Sequence, residues 1–302
     1  MNMKIIKKLV YSVIALFLLI ILNATMVNAS STKINAPENV KASVSGVTNA
    51  KIKWSSVGGA KKYTIYRATS KKGKYKKIGT SQSTSFKNKN LTRGKTYYYK
   101  VVANGVNSKS KKSSYARVKI LTKSQVLKKI RNKLKDKTWV KKNVKIKDLK
   151  GYSQTLYFGK IKGKELVAIE ALSEQAGRVQ MFLVGYKDGK IISTSSTEGP
   201  MNWYNGGPFI DLNKGIAGYG SLYMGYEHCK FLKVANVKFK DLDEFMNDEG
   251  AMYENPTFQV NGKKVSRKKY NSALKKYNKY KCVSLETKGY KLKNKNLDKY
   301  LK

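Results

Sequence analysis

The chain has 302 residues, with 63 Lys+Arg against 18 Asp+Glu and a single His, a formal net charge of +45. Apolar residues make up 41% and aromatics 11%, a globular composition that excludes a disordered polycation. One His and two Cys leave little material for His-based nucleophile chemistry or for a closed zinc site, so the composition points away from most hydrolytic machinery.

The first 29 residues have the three parts of a secretory signal. Lys4, Lys7 and Lys8 form a positive start, Leu9 to Leu22 are dominated by Leu, Ile and Val, and Val27-Asn28-Ala29 offers a cleavage site. The apolar run is about 14 residues, shorter than the ~20 a spanning helix needs. Cleavage after Ala29 is expected, with the exported chain starting at Ser30. An uncleaved anchor is the alternative, and it too would place the remainder outside. There is no second apolar run of spanning length, no wall-sorting tail over Asn294 to Lys302 and no Cys beside the cleavage site. No transmembrane helix is therefore expected after cleavage. The predicted location is extracellular, secreted or wall-associated, with charge or a binding domain holding the protein there.

The charge is spread along the chain. Residues 30–122 carry 22 basic residues and one acid, Glu38, while residues 123–302 carry 38 basic and 17 acidic residues. Such a surface repels itself unless a polyanion neutralises it. Outside a cell the available partners are anionic wall polymer, anionic lipid head groups, acidic polysaccharide and nucleic acid. A lysine bias set by an AT-rich genome is the competing account of the composition. It explains single lysines better than it explains one acid among 93 residues.

Residues 34–122 read as short strands parted by turns. Lys51 to Trp54, Tyr63 to Arg67, Lys74 to Ile78, Tyr97 to Ala103 and Arg117 to Leu121 are the clearest, with Gly58-Gly59, Lys72-Gly73 and Arg93-Gly94 between them. About seven strands in some 90 residues predict a two-sheet sandwich. Ala36-Pro37, Trp54, Tyr63-x-Ile65-Tyr66-Arg67, Lys74-Tyr75-x-x-Ile78 and Leu91-x-x-Gly94-x-x-Tyr97-x-Tyr99-x-Val101-x-Ala103 resemble a fibronectin type III domain, most of all the copies in surface proteins of Gram-positive bacteria. The resemblance implies that Trp54, Leu91 and Tyr97 are core residues, with Tyr97 in a tyrosine corner. It also implies a spacer or binding module rather than a catalyst. The chain has no Arg-Gly-Asp, so integrin-type recognition has no residues here.

Residues 123–150 are expected to form a basic helix and linker. Thr122 to Trp139 has Val126, Leu127, Ile130 and Leu134 at helical spacing, with Ser124 as the expected N-cap. Packing against the following domain is favoured over membrane binding, because the apolar stripe is narrow and lacks bulky aromatics.

Residues 151–302 are predicted to form a β-rich α+β domain. Expected strands are Leu156 to Phe158, Glu165 to Ala171, Val179 to Tyr186, Lys190 to Ser195, Ile216 to Met224 and Cys229 to Lys233, with a hairpin at Asp188-Gly189. The loop at 199–209 carries Trp203, Tyr204 and Phe209, which are either a stacking platform for sugar rings or a cover for the sheet. Asp241 to Glu244 is expected to open a short acidic helix ended by Gly250. Its carboxylates lack the spacing of a calcium loop. Phe258 to Val265 is a hairpin turning at Asn261-Gly262, and Ser266 starts a helix running to about Tyr280. The stretch Phe258 to Tyr277 resembles the tail of uncharacterised secreted clostridial proteins. In them an Asp-rich, calcium-binding type of segment lies upstream; here its counterpart, Tyr157 to Leu166, has lysines instead.

No metal or cofactor is expected, and no catalytic residues are assigned. His228 and Cys229 are neighbours on a strand and point to opposite faces. His228 with Cys282 has the order of a sortase without its flanking motifs. Glu165, Glu170, Glu174, Glu198, Asp211 and Glu227 could supply a glycosidase pair, but no spacing selects one. Cys229 and Cys282 stand either as a disulfide or as two buried thiols, since an exported chain meets a non-reducing space. The expected function is that of a secreted, non-catalytic, wall- or surface-associated binding protein held by charge to anionic polymer. A module of extracellular polysaccharide degradation and an extracellular nucleic-acid binder are the alternatives.

Overall fold

Alternation of buried and exposed side chains builds the first seven strands. They are β1 (Lys41–Ser45), β2 (Asn49–Lys53), β3 (Lys62–Ala68), β4 (Lys76–Ser81), β5 (Ser85–Asn88), β6 (Thr96–Asn104) and β7 (Ala116–Lys119). These come from a computed structural model that describes residues 10–15, 33–145, 153–173, 178–195, 199–200, 207–223, 226–235, 237–249, 256–280 and 289–301. The strands form a three-stranded sheet in the order β1-β2-β5 and a four-stranded sheet in the order β4-β3-β6-β7. That is the strand arrangement of a fibronectin type III-like sandwich. Tyr97, Tyr99, Val101 and Ala103 are buried on one face of β6, as the alternation predicts. Trp54 and Leu91 are buried too, and Trp54 meets Tyr63 edge-on at 5.2 Å. The fourth strand begins at Lys76 and ends at Ser81, two to three residues later than the sequence suggests, because its register is set by pairing with β3 from Tyr63↔Ser81 to Arg67↔Lys76.

By its internal packing the chain divides into two compact units. One comprises Met1–Ala42, Ile52–Phe86 and Tyr97–Arg117, and the other Ser43–Lys51, Lys87–Thr96 and Val118–Lys302. Residues 10–15, inside the apolar N-terminal run, are helical. No helix among the described residues is long and apolar enough to cross a membrane.

The second unit contains two further antiparallel sheets. One is built from β8 (Thr155–Lys160), β9 (Leu166–Ser173), β10 (Arg178–Lys187), β11 (Lys190–Ser195), β12 (Gly199–Pro200) and β19 (Tyr290–Lys291), in the order β11-β10-β9-β8-β19 with β12 beside β10. The other runs β13 (Gly207–Asp211), β14 (Ile216–Tyr223), β15 (Tyr226–Val234), β16 (Phe239–Asp248), β17 (Phe258–Val260), β18 (Lys263–Lys264) in chain order. The helices are α1 (Lys123–Lys135), α2 (Lys137–Asn143), α3 (Arg267–Lys275) and α4 (Asn294–Tyr300).

The period-2 geometry of strands explains how these pieces stack. All eight residues of β9 are buried, because both faces of its sheet are covered. Val167, Ile169 and Ala171 join Phe182 and Val184 in a core with Val126, Leu127, Ile130 and Leu134 of α1 and Leu297 of α4. The alternate residues Leu166 and Ala168, with Met181 and Leu183, pack instead with Ile210, Ala217 and Leu232 of the second sheet. The far face of that sheet carries Ile216, Phe231 and Phe245 against Tyr270 of α3 and Tyr277 beyond it. The layers are therefore helix, sheet, sheet, helix. Each fully buried Val, Leu, Ile, Phe or Met side chain contributes roughly 1.5–3 kcal/mol to this stack.

Two expectations about helices need correction. Asp241 to Glu244 is not helical; it lies inside β16, paired with β15 from Tyr226↔Asp248 to Val234↔Phe239. A local capping signal loses to cross-strand pairing here, because β16 buries Phe245 and sets Glu244 opposite Lys230. The single basic helix is in fact two, and its N-cap is Thr122 rather than Ser124. Thr122 Oγ1 accepts from Gln125 N at 3.2 Å while Gln125 Oε1 accepts from Thr122 N at 3.1 Å, a complete capping box. Asp136 ends α1 and caps α2, accepting from Trp139 N at 3.0 Å. The helix at Ser266 ends at Lys275, five residues earlier than expected, with turns continuing to Tyr280.

Candidate polyanion-binding face

The alternation that buries Tyr97, Tyr99 and Val101 in β6 sends Tyr98 and Lys100 to the opposite, solvent side of the sheet. Lys100 is in register with Tyr66 of β3, and Tyr98 with Ala68. Neighbouring segments bring Tyr75 and Tyr115 to the same region: Lys100 Nζ lies 4.9 Å from the Tyr75 ring centroid, and Tyr98 and Tyr115 are 5.6 Å apart. Lys71 lies over Tyr115 at 5.2 Å and Lys112 over Tyr66 at 4.8 Å. Burial pushes the Tyr75 phenol above its ordinary pKa, with Tyr115 and Tyr98 adding to the effect. All these residues belong to the first unit, in which Glu38 is the only acid from residue 30 onward.

Such a face has a definite chemistry. Each ammonium over a ring is held by about 0.5–1 kcal/mol, so it is positioned without being neutralised. Tyrosine supplies flat apolar area and a hydroxyl for hydrogen bonding. Interleaved lysines and tyrosines can therefore neutralise an anionic chain and stack against its repeating units. The sequence alone assigns Tyr66 and Tyr75 only to the fibronectin type III motif and gives no role to Tyr98 and Tyr115. The signal was present in β6, since residues between inward-facing tyrosines must face outward.

The residues singled out from the sequence fall in different places. Trp203 and Tyr204 lie outside the described residues, as do Cys282, Glu174 and Glu198. Phe209 sits half-buried on β13, tilted against Phe231 at 5.5 Å, and helps to cover the core beneath α3. Cys229, on β15, also packs against that core. His228, next to it, faces the other way: its Nε2 is 2.7 Å from Glu244 Oε1, and its ring meets Tyr219 edge-on at 5.6 Å.

Several of the described carboxylates are engaged structurally. Glu165 bonds Arg93 at 3.1 Å. Glu170 is buried within β9. Asp211 is buried and accepts from the backbone N–H of Asn213 and Lys214, which holds the turn after β13. Asp188 Oδ1 accepts from Gly46 N at 2.5 Å, tying the β1–β2 turn to the β10–β11 turn within the second unit. Asp243 is the most heavily bonded, reached by Tyr277 Oη and Lys276 Nζ at 2.5 Å each and by Asn261 Nδ2 at 2.7 Å. Burial alone would raise its pKa, but those three hydrogen bonds outweigh it and hold the carboxyl below its usual range. No group of three or more His, Cys, Asp or Glu able to hold a metal ion occurs among the described residues.

A scan against protein-family models finds no match, and a search of curated proteins finds none either. Among solved structures, similar chains include a variant of FN3tt at 22% identity, covering 30% of this chain and all of that one, with a TM-score of 0.28. A Fn3-like protein from Clostridium thermocellum is 27% identical over 28% of this chain and 92% of that one, with a TM-score of 0.27. The fn3 domain of human collagen alpha-1(XX) chain is 17% identical over 32% and 93%, with a TM-score of 0.26.

Proposed function

We propose that this is a secreted, non-catalytic binding protein that attaches to anionic polymer at the bacterial surface, and that the Lys/Tyr face of the first unit is one of its contact surfaces. The observation carrying this reading is the face itself: tyrosine rings with lysines laid across them, in a unit almost devoid of acids. Acidic groups within the second unit are largely paired with its own basic groups, as Asp243 is with Lys276 and Glu165 with Arg93, and the remaining lysines leave that unit strongly positive. The tripartite N-terminus supports export, and anionic wall polymer is then the nearest polyanion.

The reading is tested by incubating the exported chain with purified cell wall, acidic polysaccharide and DNA at two salt concentrations. Retention on wall is expected at low salt, with a steep loss as salt screens the contacts. Retention that ignores salt, or that is stronger on DNA than on wall, would displace this function in favour of another.

A further inference from the structure

We propose that the cleft between α2 and β11 in the second unit is a binding site for a short stretch of anionic, polyhydroxylated chain. This rests on the reading above that the protein binds anionic polymer, and adds the place and the chemistry of recognition.

Two cavities lie along the cleft, each walled by the same helix, α2, and the same edge strand, β11. The first is a cavity of about 570 Å³ between α1, α2 and the β10–β11 turn. Lys129, Asn132 and Lys133 of α1, Trp139 of α2, and Lys190 and Ile191 of β11 line it. The second, of about 220 Å³, lies further along β11, lined by Lys142 and Asn143 of α2, Lys145, Gln180 of β10, and Ser193 and Ser195 of β11.

Strand parity explains why these side chains converge. Ile191, Ser193 and Ser195 pair with Tyr186, Val184 and Phe182, which face the helix layer. The same face of β11 thus changes from apolar at Ile191 to hydroxyl-bearing at Ser193 and Ser195, just where α2 overhangs it. Apolar side chains there would have extended the core. Instead Ser193 Oγ is buried and has no hydrogen-bond partner among the described residues. Native structures seldom leave such a group unsatisfied, and because the oxygen has almost no exposed surface, rotation of the Ser193 side chain towards the cavity is what would bring it a ligand hydroxyl as partner.

The lining specifies the ligand class. Five lysines line the two cavities, while among the described residues Asp136, which bonds Lys133 at 3.2 Å, and Asp188, next to Gly189 and bonded to Gly46 N, lie beside them. The site therefore favours anions. Amides of Asn132 and Asn143, with the serine hydroxyls, suit ligand hydroxyls, and Trp139 offers an aromatic surface to C–H faces. The larger cavity is within the size range of small-molecule sites and the smaller lies below it, so neither takes in a nucleic-acid duplex. Beside the apolar Trp139, Ile191 and Phe182, the lysines, amides and serine hydroxyls of the lining select for a polar, anionic chain. From Lys190 to Ser195 the strand runs roughly 17 Å at ~3.3 Å per residue, room for a short oligomer but not a lone ion. A polyol phosphate and an oligouronate share this chemistry.

The test uses the full exported chain and isothermal titration with three oligomers of equal length: a polyol phosphate, an oligouronate and an uncharged glucan. Binding of at least one anionic oligomer at roughly 0.15 M salt is expected, with none of the glucan. The exposed pair Lys129→Glu and Lys190→Glu should together weaken it about tenfold or more. Ser193→Ala should weaken it several-fold, with the thermal midpoint unchanged. Adsorption to whole wall at low salt should persist in both variants. Variants that bind the anionic oligomers like wild type, equal binding of the glucan, or preferential displacement by duplex DNA would each overturn the site. Wild type that adsorbs to wall yet binds no oligomer overturns the cleft alone. Wild type that adsorbs to no polyanion overturns the underlying reading as well.

Discussion

Gly218 shows how one residue constrains the second unit. A Cβ at this position would stand 2.4 Å from Lys230 O and 2.6 Å from the Phe209 ring, so neither the β14–β15 ladder nor the aromatic core could stay in place. Gly218→Ala is expected to cost about 1–3 kcal/mol, the usual range for overpacking, read as a lower midpoint in urea. Asp243 makes a different prediction. Its folded-state pKa is depressed, so its contribution to stability is complete above the unfolded carboxylate value of about 3.9 and is lost as pH falls through the folded value. Stability should therefore drop on acidification from about pH 4 downward. In Asp243→Asn that part of the drop should be missing, as followed by thermal midpoint against pH. The same contact pushes the Tyr277 phenol well above its ordinary range, with burial the larger cause. An unchanged acid limb in the variant would mean that other carboxylates carry the pH dependence.

At the scale of elements, the basic helix depends on its first turn. The Thr122–Gln125 box satisfies backbone groups that α1 cannot satisfy itself, and α1 contributes Val126, Leu127, Ile130 and Leu134 to the core over the first sheet. Thr122→Ala should lower stability by about 1 kcal/mol, and Thr122→Ser by less. Equal losses in both would show that the Thr methyl, not the hydroxyl, is what matters. The hairpins depend on their turns in the same local way. Asp188-Gly189 and Asn261-Gly262 both have positive φ at the two central positions, the geometry that matches strand twist in two-residue loops. These turns were legible from the dipeptides alone. The β16 segment was not, because Asp-Leu-Asp-Glu carries a helix-start signal and its strand partners lie in β15 and β17.

For the whole molecule the governing quantity is charge. With +45 over 302 residues, attraction to a polyanion is the sum of many weak terms. Each exposed lysine contact should contribute no more than about 1 kcal/mol, so Lys71→Ala, Lys100→Ala or Lys112→Ala alone should change affinity for wall by less than about fivefold. Reversing all three to Glu should reduce retention far more, at low salt most of all. One lysine accounting for most of the affinity would contradict a distributed surface. Co-sedimentation with purified wall across a salt series distinguishes the two outcomes.

What the sequence determined by itself was local or periodic. The alternation in Tyr97 to Ala103 set one face of a strand, the 3.6-residue spacing of Val126 to Leu134 set one face of a helix, and the Asn-Gly and Asp-Gly dipeptides set two turns. Burial of Trp54, Leu91 and Tyr97 followed from the fibronectin type III resemblance. The tertiary structure decided everything that needs two distant segments to meet. The chain itself gives no sign of what covers the two faces of β9, that Phe209 leans on Phe231, or that Lys71 comes to lie over Tyr115. Nor does it show that Ser193 and Asn143 line one cavity, since 50 positions separate them in the chain. Side-chain direction repeats every two or 3.6 residues and can be read from a short window. Which face meets which depends on strand order, and strand order is fixed by the packing of the whole sheet.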